Sequence, residues 1–129
     1  MNLLLDTHVF IWLDAEPEKL SKTASALIKN KRNRLYLSVV SVWEMQIKVQ
    51  LGKLTLRDEL LSLLREQQKE NKLQILPVLL PHTLALAQLP PIHRDPFDRL
   101  LPSQALYEGF TLLSHDEIVR RYPVSTMWT

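Results

Sequence analysis

The chain has 129 residues, 46% of them hydrophobic, with 16 Lys and Arg against 14 Asp and Glu, a formal net charge of +2 and no cysteine. One domain spanning 1–129 is the expectation, because a chain of this length buries ~65–70% of its unfolded surface in a single core. The missing cysteines exclude disulfides and Cys-ligated zinc, and no apolar run reaches the ~20 residues of a membrane span. The first dozen residues lack a basic n-region and are interrupted by Asp6 and His8, so a signal peptide is not expected and a cytoplasmic location is. A pI of about 9.0 is compatible with nucleic-acid binding. The clearest basic cluster is "KNKRNR", with Lys29, Lys31, Arg32 and Arg34; it reads either as a helix end suited to cations or as a phosphate contact.

In chain order, "NLLL" predicts a short buried strand, followed by a helix over roughly His8 to Asp14. Ser21 is placed to cap a helix running to about Lys31. "RLYLS" reads as the second strand, and "SVVSVWEMQIKVQLG" as a helix stopped by Gly52. "LRDELLSLLREQQKEN" is amphipathic, and "LQILP" is a third strand closed by Pro77. A helix from Pro81 to about Leu89, the loop "PPIHRDP" and another helix to about Glu108 come next. "FTLLS" is a fourth strand and "VSTMW" a candidate fifth. Strands alternating with helices imply a mostly parallel sheet covered on both faces, an α/β fold.

In a parallel sheet the carboxyl ends of the strands share one edge, and ligands bind in the crevice there. Asp6 follows the first strand, Glu44 sits just inside the helix after the second, Asp98 begins the helix leading to the fourth, and Asp116 follows the fourth. Each acid also has a structural reading. "SVWE" (Ser41 to Glu44) and "SHDE" match capping boxes, while Asp95 with Pro96 would open a helix in which Asp98 serves the dipole. Asp6 ends a strand and fits a capping role least well, although Asp6 or Thr7 could cap the helix that follows. Capping explains acids singly, but it does not require four strand ends to supply one cleft. Crowded carboxylates repel unless cations neutralise them, and Mg²⁺ or Mn²⁺ with oxygen ligands does so. Such a site suits phosphodiester hydrolysis without a nucleophilic side chain.

Rival chemistries leave fewer marks. His8, His93 and His115 flank the region, but no HExxH or comparable zinc spacing exists. Two glycines cannot build a glycine-rich phosphate cradle, and His8 stands where an aspartyl phosphatase would carry its second acid. Trp12, Trp43 and Trp128 could stack on bases, yet their apolar surroundings predict core positions.

Taken together, "LLLDTHVFIWL", "LYLSVVSVWEMQIKVQLGKL", "LPPIHRDPFDRLLPSQAL" and "TLLSHDEIVRRYPV" resemble the PIN-domain family, in particular the VapC-type toxins of bacterial toxin–antitoxin modules. The resemblance covers nearly the whole chain in order, with least support across residues 57–80. It implies a PIN-like α/β/α sandwich with a central, mostly parallel four- to five-stranded sheet. It also places the family's acidic quartet on Asp6, Glu44, Asp98 and Asp116, which would bind Mg²⁺ or Mn²⁺ and cut RNA. Thr7 and Ser114 match supporting hydroxyl positions, and Asp95 lies close enough to assist. The resemblance further implies a homodimer silenced by a small antitoxin whose C-terminal segment fills a groove near the site. Arg94, Arg99 and the 29–34 cluster are candidate RNA-phosphate contacts.

One departure is Pro102, where relatives carry an aliphatic residue. Inside a helix it removes the N–H that would bond to the Asp98 carbonyl, at ~3 kcal/mol, and so predicts a kinked helix at 98–102. That keeps open an alternative: a PIN-like module that binds RNA or protein without cutting.

Overall fold

The computed structural model describes residues 1–93 and 95–129. Five strands form one all-parallel sheet: β1 (Asn2–Leu5), β2 (Arg34–Ser38), β3 (Gln74–Leu76), β4 (Thr111–Leu113) and β5 (Thr126–Met127), in the order β3-β2-β1-β4-β5. The helices are α1 (Thr7–Ala15), α2 (Lys22–Lys29), α3 (Val39–Gln50), α4 (Leu60–Asn71), α5 (Leu80–Leu84) and α6 (Pro96–Glu108). The period-2 side-chain alternation of a strand feeds two cores, since both faces of β1 are apolar. Leu3, Leu5, Leu35 and Leu37 face α1, α2 and α4 through Val9, Phe10, Ile28 and Leu63. Leu4 and Leu112 face α6 through Leu101 and Ala105. The result is the three-layer α/β/α sandwich expected.

The order of strands matters for the site. From β1 the chain builds outward to β2 and β3, then crosses back to place β4 on the other side of β1. The reversal at β1 and β4 opens a crevice at their carboxyl ends, where neighbouring connections leave in opposite directions. Asp6 and Ser114 lie at those two ends, tied together by the Asp6 N–H, which donates to the Leu113 carbonyl at 3.0 Å.

Several local expectations are corrected. The α3 helix begins three residues earlier than the Ser41–Glu44 capping box requires: Ser38 is its N-cap, with Oγ accepting from the Val40 N–H at 3.0 Å. Glu44 therefore lies well inside the helix, where it closes no N-terminus, and it is buried. No α-helix opens at "SHDE" either. The Ser114 hydroxyl accepts from the Asp116 N–H and the Asp116 carboxylate from the Ile118 N–H, so side chains complete a turn rather than a cap. The α2 helix stops at Lys29, because Asn30 and Asn33 take the chain into a turn stabilised by Asn33 Nδ2 donating to the Leu27 carbonyl. The segment from Pro81 to Leu89 divides into the short α5 and a 3₁₀ turn at Ala85–Gln88. Trp43 is not a core residue: it is 62% exposed, whereas Trp128 is buried and Trp12 half-buried.

The α6 helix runs unbroken through Pro102, from Pro96 to Glu108. Leu101, Pro102, Ser103, Gln104 and Ala105 are all buried, so this stretch is enclosed on every side. Fully burying a Leu is worth about 1.5–3 kcal/mol, and a few such contacts offset the ~3 kcal/mol proline penalty.

Candidate metal centre

Four elements bring carboxylates to the β1/β4 crevice. Asp6 ends β1 and accepts from the Thr7 N–H at 2.8 Å and the Ser114 hydroxyl at 2.6 Å. Both structural readings of Asp6 are thus partly met, since it is also the N-cap residue of α1. Glu44 projects from α3 and is bridged to α1 by the Thr7 hydroxyl, which lies 2.9 Å from Glu44 Oε1 and 2.8 Å from Ser41 Oγ. Its other oxygen accepts from Lys48 Nζ at 2.7 Å, one helical turn on. Asp98 sits in the first turn of α6, with Asp95 as N-cap accepting from the Phe97 N–H at 2.9 Å. Asp116 follows β4, its backbone N–H held by Ser114 at 3.1 Å.

Between Asp98 and Asp116 stands His93. Its Nε2 is 3.1 Å from Asp98 Oδ2 and 3.4 Å from Asp116 Oδ2. Among the described residues, the ligand-competent atoms of His93, Asp98 and Asp116 lie within 4.8 Å of one another. Asp6 and Glu44 do not join that group. Ser114 links Asp6 to the Asp116 backbone N–H through its hydroxyl, and Thr7 links Asp6 to Glu44, its backbone N–H donating to Asp6 and its hydroxyl to Glu44. This is how repelling acids settle when each can take a donor from the protein.

The electrostatics record the crowding. The Asp98 carboxyl is pushed up to about 7, first by burial, then by the charges of Asp6 and Asp95, with His93 opposing and Glu44 adding. Burial also raises Asp6, against the hydrogen bonds from Ser114 and Thr7 and the nearby His8, while Glu44 adds to the rise. Lys48 is held above its usual value by its hydrogen bond to Glu44; burial opposes this, and the charges of Glu44, Asp95 and Asp98 reinforce it. The donor set is therefore dominated by carboxylate oxygens whose charge is only partly neutralised. That chemistry fits a hard divalent cation.

One participant, Lys48, escaped sequence reasoning, and another, His93, was read only as flanking the acids. Lys48 is legible afterwards as an i, i+4 partner of Glu44. His93 carried no spacing signal, since its approach to Asp98 and Asp116 depends on the loop before α6. The basic candidates are divided. Arg99 is half-buried in α6 beside Asp98. Arg94 lies outside the described residues. Lys29, Lys31 and Arg34 instead line a separate cleft of about 420 Å³ with Lys72 and Glu70, at the amino ends of β2 and β3. Arg32 lies in the same turn, exposed, before β2. The length of β2, roughly 13 Å at ~3.3 Å per residue, separates this cluster from the acids.

A parallel sheet with this crevice and its acids matches a known family. The PIN domain family model matches residues 3–124, and the chain belongs to that family. It is similar to Ribonuclease VapC22 of Mycobacterium tuberculosis (strain ATCC 25618 / H37Rv), at 30% identity over 132 residues, covering 98% of each chain. Among solved structures it resembles a chain of VapBC2 from Rickettsia felis bound to a DNA fragment from their promoter, with a TM-score of 0.73, 20% identity and full coverage of both chains. A chain of DNA-bound VapBC from Salmonella typhimurium gives a TM-score of 0.67 at 14% identity, with 98% of this chain and 97% of that one covered. These likenesses confirm the fold expected from the sequence.

Proposed function

We propose that the chain is a divalent-metal-dependent endoribonuclease and the toxin component of a toxin–antitoxin pair. The observation that carries this reading is the gathering of Asp98 and Asp116 with His93 at the crevice, backed by buried Asp6 and Glu44. The family and the 30% identical ribonuclease support the reaction class. Asp98 and Asp116 would hold Mg²⁺ or Mn²⁺, with Asp6 and Glu44 as further oxygen donors, directly or through water. When bound, the ion supplies a water of lowered pKa and charge stabilisation at phosphorus. Thr7 and Ser114 hold the Glu44 and Asp6 carboxylates in place. Asp95 starts α6 and so aims Asp98, while Arg99, the next residue in the helix, would contact an RNA phosphate.

An antitoxin partner is supported by the VapBC assemblies that share the fold. Homodimerisation is supported by exposed apolar side chains on the packed pair α5 and α6, namely Leu80 and Leu84 of α5 and Tyr107 of α6. No helix among the described residues is long and apolar enough to cross a membrane. The alternative, a module that binds without cutting, rested on a broken α6. The continuity of α6 through Pro102 and the closeness of Asp98 to Asp116 favour the cutting reading over it.

The test is cleavage of a mixed RNA pool by purified protein in Mg²⁺ or Mn²⁺, with EDTA and Asp6→Asn as paired controls. Cutting abolished by both establishes the nuclease. Sound folding without metal binding or cutting overturns it.

A further inference from the structure

His93 sits among the acids as if it were a third ligand, but the hydrogen bonds around its ring argue otherwise. Its Nδ1 faces the Asp95 backbone N–H at 3.2 Å. A backbone N–H can only donate, so Nδ1 must accept and carries no proton. The ring proton therefore resides on Nε2, the atom facing Asp98 and Asp116. Ionised carboxylates only accept, so Nε2–H donates to Asp116 Oδ2 at 3.4 Å and lies against Asp98 Oδ2 at 3.1 Å as a close polar contact. A metal-ligating histidine shows the opposite pattern, in which the second nitrogen donates to a carbonyl or carboxylate and leaves a lone pair for the ion. The residue is also anchored from behind, its own N–H donating to Tyr122 Oη at 2.8 Å, and Tyr122 is buried.

We propose that His93 is a positioning residue, a tautomer-locked hydrogen-bond donor that holds Asp98 and Asp116 together and leaves the coordination sphere to oxygen. The inference rests on the metal-site reading above and specifies how that site is arranged. An all-oxygen set keeps the site suited to Mg²⁺ and Mn²⁺, whereas an imidazole ligand would tilt it toward zinc, nickel and copper.

The test combines three readouts on the full chain. Long-range ¹H–¹⁵N correlation of the histidine rings in metal-free protein reports the tautomer directly; Nε2–H is expected, and Nδ1–H overturns the proposal. Electron spin-echo modulation of bound Mn²⁺ should show no directly coordinated ¹⁴N, and a ¹⁴N signal that disappears in His93→Ala overturns it. Calorimetric Mn²⁺ titration should show about tenfold weaker binding for His93→Ala, within the range for residues that orient ligands, and recovery in His93→Gln, whose amide N–H substitutes for Nε2–H. Unchanged affinity in His93→Ala overturns the role. Should His93→Ala fail to fold, the wild-type tautomer and spin-echo data decide. Asp98→Asn separates the two readings: Mn²⁺ binding that it leaves intact defeats the metal-site assignment itself, whereas a defect confined to the His93 readouts defeats this inference alone.

Discussion

Ser114 donates its hydroxyl to Asp6 at 2.6 Å across 108 positions of sequence, while the same oxygen accepts the backbone N–H of Asp116. One small side chain thus registers β1 against the turn after β4. Ser114→Ala removes a donor from a buried carboxylate and an acceptor from an amide, with an expected stability loss of about 1–3 kcal/mol. Metal affinity should fall with it. Urea unfolding and Mn²⁺ calorimetry on the variant check the two effects separately, and an unchanged unfolding midpoint would refute the structural half.

Asp98 predicts the pH dependence of the metal-free protein. Its carboxyl moves from the ordinary 3.8 of an aspartate to about 7 in the fold. Between those values the folded state binds more protons than the unfolded one, so stability falls as pH rises through this window and levels off above it. Asp98→Asn should flatten that slope and raise the unfolding temperature at about pH 8 by several degrees. Thermal unfolding in EDTA at about pH 5 and about pH 8 is the measurement. Added Mg²⁺ should reverse the trend, since it binds the ionised form.

The basic cluster makes a different kind of prediction. Lys29, Lys31 and Arg34 line a cleft at the amino ends of β2 and β3, away from the acids. A short oligonucleotide seated on the acids cannot reach them. Reversing all three charges should leave cleavage of a short single strand unchanged. For a long folded RNA it should lower kcat/KM and flatten its salt dependence. Equal losses on both substrates would disprove this division.

The layered architecture was legible because its signals are local and repeated: "NLLL" and "RLYLS" read as buried parallel strands, and both are. The acids were legible as strand-end residues for the same reason. Where reading failed, a competing side chain decided the outcome. Ser38 took the cap that "SVWE" offered to Ser41, which freed Glu44 for the crevice. The position of His93 depends on Tyr122 and Asp95, neither of which marks the loop in sequence. Trp43 shows an ordinary limit of periodicity, since an apolar spacing does not say which side of a helix meets the core.

Pro102 permits a stabilising substitution. Replacing it with Ala restores an N–H that can reach the Asp98 carbonyl and removes the ring clash, worth up to ~3 kcal/mol, against ~1–2 kcal/mol of lost ring contacts. Pro102→Ala should therefore raise stability by about 1–2 kcal/mol in chemical denaturation. A lower midpoint would mean that the ring's packing outweighs the missing hydrogen bond.

The position of β1 at the middle of the sheet has a temporal consequence. Synthesis lays down Asp6 long before its neighbour β4 and before Ser114, 108 positions further along the chain. Parallel pairing between segments so far apart in the chain closes slowly and late. A nascent chain halted before β4 lacks Asp116, which completes the cluster with His93 and Asp98. The cluster therefore assembles only after β4 has been made and paired with β1.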